Sequence, residues 1–326
     1  MSIKNIAVVG AGLAGLTCAQ QLKSTGFDVT VFEKSRGAGG RLSTRRVDWA
    51  QFDHGAQYFT AREALFKQWV DGLLAEGTVA PWSPVMRTPP SKNDVWYVAC
   101  PGMNSLGRAQ AEGLTIQLNT RVTALASVAD QWQLSMEDGT HQGGFDAVVL
   151  ALPNEQAAPL LAAHQPDWAQ RLQAIALQPC WTLMLSTATL DVAYEAGQPT
   201  AGPVAWWARN DSKPGRAQHP GQQDWVVQAS AAWTEQNLEV DKATVIETLQ
   251  RALLSELGVE SCTVLETPMA HRWLYARRTP GLPAQEPSWW SASMQLGACG
   301  DGLTHSRVEQ AYLSGHDMAV QIQKTA

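Results

Sequence analysis

Residues 3–15 read IKNIAVVGAGLAG, and this stretch decides the fold. Its first part, residues 3–9, is a short apolar run of the kind that forms a buried parallel strand. The glycines that follow have the spacing Gly-x-Gly-x-x-Gly. Gly10 permits a tight turn, Gly12 leaves room for a pyrophosphate, and Gly15 lets a helix pack closely on the strand. The N-terminus of that helix offers free N–H groups to an anion, so the stretch predicts a β-α-β unit that binds a dinucleotide.

The end of the second strand predicts which part of the dinucleotide lies there. Residues 32–41 read FEKSRGAGGR, and Glu33 is at the position where an acidic side chain meets a ribose hydroxyl. An adenosine ribose occurs in both NAD and FAD, so Glu33 does not distinguish them. The following GAGGR permits close backbone approach to phosphate, and Arg41 supplies a charge-assisted donor. Taken alone, GAGGR equally fits a flexible loop.

The bulk composition excludes several classes of protein. Of the 326 residues, 45% are hydrophobic and 17% charged, as in soluble globular proteins. The net charge of −6 and the pI of about 5.6 argue against a nucleic-acid partner. No apolar run reaches the roughly 18 residues of a membrane span, so we expect no membrane partner. Five scattered cysteines without a metal-ligand spacing indicate reduced thiols, a cytoplasmic location and no metal site.

The pattern of apolar residues predicts an interrupted domain. Both ends of the chain alternate strand and helix, whereas the middle contains alternating runs typical of antiparallel strands. We therefore expect one α/β domain that is built from both termini and interrupted by insertions. The predicted helices are 62–76, 102–112, 155–175, 241–257 and 307–323. The predicted strands include a hairpin within 79–98, a meander within 115–150, and 180–187, 204–208, 225–231 and 263–269.

A third motif narrows the choice of cofactor. The segment LGACGDGLTHSRVEQAYLSG, residues 296–315, predicts a strand that ends at Gly300 and Asp301 and a helix that follows. Together with GxGxxG and the GGR of residues 39–41, it resembles the flavin amine oxidase superfamily. The resemblance implies a Rossmann-like FAD-binding domain of the amine oxidase or p-hydroxybenzoate hydroxylase type. An α+β substrate domain with an antiparallel sheet is inserted into it, and the fold class is α/β.

Further segments are similar to the bacterial renalases. They are DHGAQYFTAR (53–62), PGM (101–103), WARNDSKP (207–214), HRWLYAR (271–277) and SRVEQAYLSG (306–315). This resemblance implies an FAD-dependent oxidase that takes hydride from the 2- and 6-dihydro isomers of NAD(P)H. The products are β-NAD(P)⁺ and, after electron transfer to O₂, hydrogen peroxide.

The resemblance also implies a domain division and a set of site residues. The FAD-binding domain comprises 1–60, 101–153 and 265–326, and the substrate-binding domain comprises 61–100 and 154–264. The residues expected at non-covalent FAD are Gly10, Ala11, Gly12, Leu13, Gly15, Glu33, Lys34, Gly40, Arg41, Ala56, Gln57, Tyr58, Val122, Gly300, Asp301, Arg307 and Val308. Those expected at the substrate are Tyr58, Phe59, Thr60, Ala61, Arg62, Tyr97, Cys180 and Arg307.

The implied chemistry requires no catalytic residue in the protein. Hydride leaves a dihydropyridine carbon as the ring nitrogen donates its lone pair, so no N–H or O–H bond has to break. The protein has to place the ring, exclude water and tune the flavin, for which Arg307 is a candidate. We interpret His54 and His271 as structural histidines, with a catalytic role as the alternative.

Three features depart from the family pattern and bear on specificity. Cys180 stands where we expect a small hydroxyl residue, and Gly302 stands where a larger residue is usual. The loop at 87–94 is shorter than in the renalases.

Two other functions stay open. The same scaffold carries amine oxidases and desaturases for other small molecules, although the cleft segments show no obvious lysine of the kind that amine oxidases often place near the flavin. Relatives of the fold also serve as protein carriers without flavin, a role that the intact GxGxxG, GGR and Gly-Asp motifs argue against.

Overall fold

The computed structural model describes residues 3–89 and 94–326. Its helices are α1 (Leu13–Ser24), α2 (Ala64–Ala75), α3 (Asn104–Ala111), α4 (Asn154–Leu161), α5 (Pro166–Gln173), α6 (Ala231–Gln236), α7 (Lys242–Leu257) and α8 (Val308–Thr325). Within these described ranges, no helix combines the length and the apolar character needed to cross a lipid bilayer.

Within the described residues, the strands form three larger sheets and two two-stranded sheets. They are β1 (Asn5–Val9), β2 (Asp28–Phe32), β3 (Thr44–Val47), β4 (Ala50–Asp53), β5 (Val79–Pro81), β6 (Tyr97–Ala99), β7 (Thr115–Gln117), β8 (Val122–Val128), β9 (Gln131–Met136), β10 (His141–Phe145), β11 (Ala147–Leu150), β12 (Leu177–Ala188), β13 (Ala196–Gly197), β14 (Val204–Arg209), β15 (Gln222–Ala229), β16 (Met269–Arg278), β17 (Ser288–Ser291) and β18 (Leu296–Cys299).

The central sheet has the order β17-β18-β11-β1-β2-β7. It is parallel except for β17, which pairs antiparallel with β18. β1 and β11 are almost wholly buried, as their apolar runs predict, because helices cover one face of the sheet and the three-stranded sheet β10-β9-β8 packs on the other. The sheet draws strands from both ends of the chain, so the predicted α/β fold class is confirmed.

The carboxyl ends of the parallel strands meet at one edge of this sheet. β1 ends before Gly10, β2 ends before Glu33, and β18 ends before Gly300 and Asp301. Segments that lie far apart in the sequence therefore converge on one crevice, which is where ligands bind in open parallel sheets.

Antiparallel strands form the second large sheet. Its order is β13-β14-β15-β12-β16, and the helix α7 packs on it over the buried side chains Val245, Leu249 and Leu253. A three-stranded sheet, β10-β9-β8, and the hairpins β3–β4 and β5–β6 complete the fold. The antiparallel middle of the chain agrees with the alternating sequence pattern.

Two predicted elements differ from the structure. The helix predicted over 155–175 is two helices, because the chain turns after α4 and Pro166 begins α5 at a position where a helix tolerates proline. The strand predicted over 263–269 is only partly formed, because Val264 makes an isolated bridge with Thr187 and regular pairing resumes only at Met269. Pro268 has no N–H for a sheet ladder, and the strand begins only after it, as β16. Of the short loop 87–94, residues 90–93 lie outside the described part of the chain.

Close packing of α1 on α8 depends on a glycine. A Cβ atom at Gly315 would lie 2.1 Å from the carbonyl oxygen of Ala14, which is backbone and has little freedom to move. A Cβ atom at Gly72, which lies within α2, would meet open space instead. The two glycines therefore allow a matched test of this contact.

We expect Gly315→Ala to lower the free energy of unfolding by about 2 kcal/mol, because the added methyl group forces the two helices apart. Gly72→Ala should raise it by roughly 0.5–1 kcal/mol, since alanine loses less backbone entropy in a helix. Denaturant unfolding of both variants measures the difference. Equal changes in the free energy of unfolding for the two variants would show that the α1–α8 contact does not limit stability.

Candidate active site

One cleft of about 1870 Å³ opens at the carboxyl edge of the central sheet and extends to the second sheet. Most of the residues predicted for FAD line it, whereas Ala11 and Gly15 lie behind its wall. The lining residues of that set are Gly10, Gly12, Leu13, Glu33, Lys34, Gly40, Arg41, Ala56, Gln57, Tyr58, Val122, Gly300, Asp301, Arg307 and Val308.

The glycine motif shapes the floor of the cleft at the start of α1. Gly10 has a φ of 109°, and a Cβ atom there would lie 2.4 Å from the carbonyl oxygen of Ala151. A Cβ atom at Gly15 would lie 2.0 Å from the carbonyl oxygen of Gly10, so this glycine serves packing. By contrast, Gly12 has open space beside its Cα and leaves the helix N-terminus accessible to an anion.

Glu33 connects the ends of the first two strands. Its Oε2 accepts a hydrogen bond from the Ala11 N–H at 2.9 Å, and its Oε1 accepts one from the Ser35 N–H at 2.8 Å. Each carboxylate oxygen keeps a second lone pair, so the side chain remains able to accept from a ribose hydroxyl. Glu33 therefore both fixes the turn and faces the cleft.

Arg41 and Asp301 form an ion pair between two distant motifs. The Nη2 atom of Arg41 binds Asp301 Oδ1, and its Nη1 donates to the Ala276 carbonyl at 3.1 Å. The backbone N–H of Gly300 donates to the Ser314 hydroxyl at 2.7 Å, which ties the Gly-Asp turn to α8. GGR and Gly-Asp thus come together as the resemblance implies.

Gly302 departs from the family pattern for a steric reason. A Cβ atom at this position would lie 2.5 Å from Oδ1 of Asn154. Asn154 is buried and donates from Nδ2 to the Ile175 carbonyl at 3.1 Å, so its amide fills the space that a larger residue would need.

Aromatic rings form the far part of the cleft. Tyr58 stacks on Trp96 with ring centroids 4.0 Å apart, and Trp206 lies 5.3 Å from Tyr58 and 5.7 Å from Trp96. We call Tyr58, Trp96 and Trp206, all three of which line the cleft, the aromatic wall. Burial raises the pKa of Tyr58, and the charge of Asp94 adds to this effect.

The other residues predicted for the substrate divide into two groups. Phe59, Thr60, Arg62, Cys180 and Arg307 line the cleft. Ala61 and Tyr97 lie behind its wall, and Tyr97 stacks on Phe59 with centroids 5.7 Å apart. Arg62 pairs with Asp94 at the cleft wall. Its backbone N–H and that of Glu63 both donate to the buried carboxylate of Glu309, at 2.6 and 2.8 Å.

Cys180 presents a neutral thiol to the cleft. Burial raises the pKa of this thiol to about 11, and the Sγ atom donates to the Trp181 carbonyl at 3.4 Å. At neutral pH the side chain is therefore a weak donor and neither a nucleophile nor a base.

His54 and His271 lie together on the cleft wall. The ring of His54 is 4.9 Å from that of His271 and stacks on Trp273 at 5.2 Å. Burial lowers the pKa of each to about 4, and the positive charge of Arg45 acts in the same direction. Both imidazoles are thus neutral at pH 7. Among the described residues, His54 Nδ1 is a buried atom with no hydrogen-bond partner.

The sequence interpretation missed a buried polar network beneath the cleft. Asp53 accepts from Lys213 Nζ at 3.3 Å and from Arg216 Nε at 3.2 Å, and all three side chains are almost wholly buried. Gln228 of the second sheet donates to the Gly55 carbonyl at 2.7 Å. The Asp of DHGAQY and the Lys of NDSKP occur in quoted motifs, but nothing in their spacing indicates that they meet.

Two family models match the chain. A model for an NAD(P)-binding Rossmann-like domain covers residues 8–73, and one for flavin-containing amine oxidoreductases covers residues 82–189. The chain is a flavoprotein whose residues 82–189 are similar to the amine oxidase superfamily. The cofactor of this flavoprotein is FAD.

Relatives of this flavoprotein resemble it over a short segment. Mitochondrial protoporphyrinogen oxidase of Nicotiana tabacum is 42% identical over 72 residues, which is 22% of this chain and 14% of the relative. A zeta-carotene-forming phytoene desaturase of Myxococcus xanthus is 50% identical over 52 residues, which is 16% of this chain and 10% of the relative. The matched segments are thus a small fraction of the relatives' length.

Solved structures match the flavoprotein over its whole length at low identity. A candidate protoporphyrinogen oxidase from Exiguobacterium sp. 255-15 has a TM-score of 0.77 at 12% identity, with 100% of both chains covered. Reduced UDP-galactopyranose mutase has a TM-score of 0.77 at 11% identity, with 100% of this chain and 95% of the other covered. At such identities the likeness concerns the fold alone.

The residues of the cleft fit FAD. Gly12 leaves open space at a helix N-terminus, which suits a pyrophosphate, and Glu33 keeps free lone pairs for a ribose. The guanidinium of Arg41 lies at the same cleft wall.

The open space at Gly12 gives a test of the pyrophosphate position. We expect Gly12→Val to weaken FAD binding by about tenfold or more, because the added side chain enters the cleft where the phosphates approach. The thermal midpoint of the FAD-free protein should stay close to that of the parent. Gly72→Ala serves as a control that leaves the FAD dissociation constant unchanged. Unaltered FAD affinity in Gly12→Val would place the phosphates elsewhere.

The neutral histidines predict how stability depends on pH. Each pKa is lower in the folded state, so the unfolded chain takes up a proton first as the pH falls below about 6.5. Stability is therefore fully present above pH 6.5 and declines towards pH 4. For buried His54 the loss should be about 2 kcal/mol, with a smaller loss for the more exposed His271.

Denaturant unfolding of the FAD-saturated protein between pH 7 and pH 4 measures this decline. We expect His54→Gln to reduce its slope, whereas His141→Gln, at an exposed histidine, should leave the slope unchanged. Equal slopes for the parent and His54→Gln would contradict the assignment.

Proposed function

We propose that this flavoprotein oxidises the 2- and 6-dihydro isomers of NAD(P)H to β-NAD(P)⁺ and passes the electrons to O₂, with hydrogen peroxide as the product. The family matches support only the coarser statement of an FAD-dependent oxidoreductase with a small-molecule substrate. The finer proposal rests on the chemistry of the cleft wall and on the similarity of its segments to renalases.

The observation that carries the proposal is an aromatic wall beside which the described residues place no strong base. Tyr58 keeps its proton because burial raises its pKa, and the pKa of Cys180 is about 11. Asp94 is engaged by Arg62. The pKa values of about 4 make His54 and His271 weak bases. Such a wall suits a substrate that loses hydride without losing a proton from nitrogen or oxygen.

Each part of the wall has a task in this reaction. The aromatic wall holds a flat dihydropyridine ring by stacking and excludes water from it. Arg62 and Arg307 line the same cleft and can donate to the carboxamide or to phosphate oxygens of a dinucleotide. When bound, FAD supplies the acceptor for hydride and the route of electrons to O₂.

We also propose how the chain divides between the two ligands. Residues 1–60, 101–153 and 265–326 hold FAD without a covalent bond, and residues 61–100 and 154–264 form most of the substrate side. The side chains that line the cleft from β12, β14 and β15, such as Cys180 and Trp206, support this division.

The relatives supply the second candidate function. Protoporphyrinogen oxidase and a phytoene desaturase match 22% and 16% of this chain. An amine oxidase or desaturase activity on another small molecule is therefore the alternative to test. A role as a carrier without flavin is the remote alternative. Failure of the purified protein to take up FAD would favour that alternative.

Anaerobic mixing separates these candidates. We expect 6-dihydroNAD to bleach the flavin rapidly, and benzylamine or protoporphyrinogen to leave it oxidised over the same time. Admission of air should then restore the flavin absorbance and yield one molecule of hydrogen peroxide for each molecule of substrate oxidised. Bleaching by the amine or by protoporphyrinogen alone would overturn the proposal.

Paired arginine variants locate the reaction in the cleft. Arg307→Gln should require about tenfold more 6-dihydroNAD for half-maximal bleaching rate, because a charge-assisted contact is lost. Arg251→Gln, on the exposed face of α7, should behave like the parent.

A further inference from the structure

The segment 54–58, HGAQY, has an irregular backbone that other side chains hold in place. The His54 carbonyl accepts from Trp273 Nε1 at 2.8 Å, and the Gly55 carbonyl accepts from Gln228 Nε2 at 2.7 Å and from Gln57 Nε2 at 3.1 Å. Gln57 Nε2 also donates to the Asp53 carbonyl. One backbone hydrogen bond, from the Ala56 N–H to the Arg41 carbonyl at 2.9 Å, also holds the segment, and the other bonds described here come from side-chain donors.

Gln57 is the member of the segment that turns inward. Although the residue borders the cleft, both ends of its amide are used within the protein. Its Nε2 faces the Asp53 and Gly55 carbonyls, and its Oε1 accepts from Lys213 Nζ at 3.1 Å. A cation at Oε1 fixes which end of the amide is oxygen, and so directs the N–H groups to the backbone.

Lys213 lies entirely behind the cleft. Its side chain has no exposed surface, and besides Gln57 its ammonium donates to Asp53 Oδ2 at 3.3 Å and to Asn210 Oδ1 at 3.2 Å. The three protons of the ammonium thus have three acceptors. The Nζ atom also lies 5.5 Å from the ring centroid of Trp82, which packs behind Trp96 and Trp206 of the aromatic wall.

The network keeps Lys213 charged despite its burial. Burial lowers the pKa of Lys213 to about 8, against the attraction of Asp53, so the side chain is an ammonium at neutral pH. Burial also disfavours the charge of Asp53, but Lys213 and Arg216 together lower the pKa of Asp53 to about 2. Removal of the lysine would leave Gln57 Oε1 buried without its donor, which is costly in a dry interior.

We propose that Lys213 is a positioning residue for the cofactor: through Gln57 it holds the 54–58 segment in the shape that receives FAD. Lys213 does not line the cleft, so it acts through the groups that it contacts, and of its three hydrogen-bond acceptors Gln57 is the one within the 54–58 segment. The inference rests on the proposed contact of residues 56–58 with FAD, and it is independent of which substrate is oxidised.

Arg216 distinguishes positioning from simple charge balance. It binds the same Oδ2 atom of Asp53 through Nε and Nη2, and it donates to the carbonyls of Ala99 and Pro214, whereas none of these hydrogen bonds involves Gln57. If Lys213 serves only to neutralise Asp53, loss of either cation should have the same consequence for the flavin. If Lys213 acts through Gln57, only the loss of Lys213 should change FAD binding and the flavin spectrum.

The experiment compares the holoenzymes of Lys213→Met, Lys213→Gln, Gln57→Leu and Arg216→Met. Three readouts are measured without substrate: the dissociation constant of FAD, the visible circular dichroism of the bound flavin, and its midpoint potential. We expect Lys213→Met and Gln57→Leu each to weaken FAD binding by about tenfold, as a lost buried hydrogen bond implies, and to shift the flavin spectrum alike. Lys213→Gln keeps an N–H donor and should recover part of the affinity.

The double variant and the arginine variant decide the outcome. Lys213→Met combined with Gln57→Leu should weaken FAD binding no more than either change alone, because both remove one interaction. Arg216→Met should lower the thermal midpoint and leave the flavin spectrum and potential unchanged. The proposal is overturned if Arg216→Met and Lys213→Met alter the flavin equally, or if Gln57→Leu leaves FAD binding and the flavin spectrum unaltered.

The design holds even if Lys213→Met does not fold. Gln57→Leu leaves the ion pairs of Asp53 intact, and unchanged FAD affinity in that variant alone would sink the proposal. A substrate other than dihydro-NAD(P) would leave all of these readouts as expected, so failure of the proposed function is distinguishable from failure of this inference.

Discussion

The close approach of α1 to the end of β1 is the contact on which the rest of the structure depends. At Gly10 and Gly15 the backbone comes so near to itself and to residue 151 that a methyl group at either position would overlap a carbonyl oxygen. This approach turns the N-terminus of α1 towards the crevice formed by the ends of the parallel strands. Glu33 then ties the turn to β2 by accepting from the Ala11 N–H. The place for a dinucleotide thus follows from backbone packing.

A second constraint acts between sequence-distant parts of the molecule. Asp53 lies at the end of β4, and the two cations that bind it, Lys213 and Arg216, come from the loop after β14. These two ion pairs therefore join the two walls of the cleft. Buried ions are costly to desolvate and tolerate few arrangements, because each charge must meet its partners at hydrogen-bond distance. A network of this kind contributes little net stability, but it fixes the relative position of the segments that it connects. It thereby couples the glycine-rich side of the cleft to the aromatic wall.

The departures from the family pattern have a shared physical meaning. At Gly302 the amide of Asn154, which comes from α4, fills the space that a side chain would otherwise occupy. Cys180 replaces a hydroxyl with a thiol whose raised pKa keeps it protonated. Neither change introduces a charge into the cleft. Together with the neutral His54 and His271, they leave these four positions of the cleft wall uncharged at neutral pH.

The sequence alone determined the β-α-β unit, its glycines and the positions of Glu33, Arg41 and Asp301. These depend on short spacings and on the rule that parallel strands end at one edge of a sheet, so local pattern suffices. Only the tertiary structure decided that Tyr97 lies behind the cleft, that β16 begins after Pro268, and that Lys213 meets Gln57 from 156 residues away. Such contacts have no period in the sequence. They arise because burial forces each polar group to find a partner, and the partner is whichever group the packing of the two sheets brings within reach.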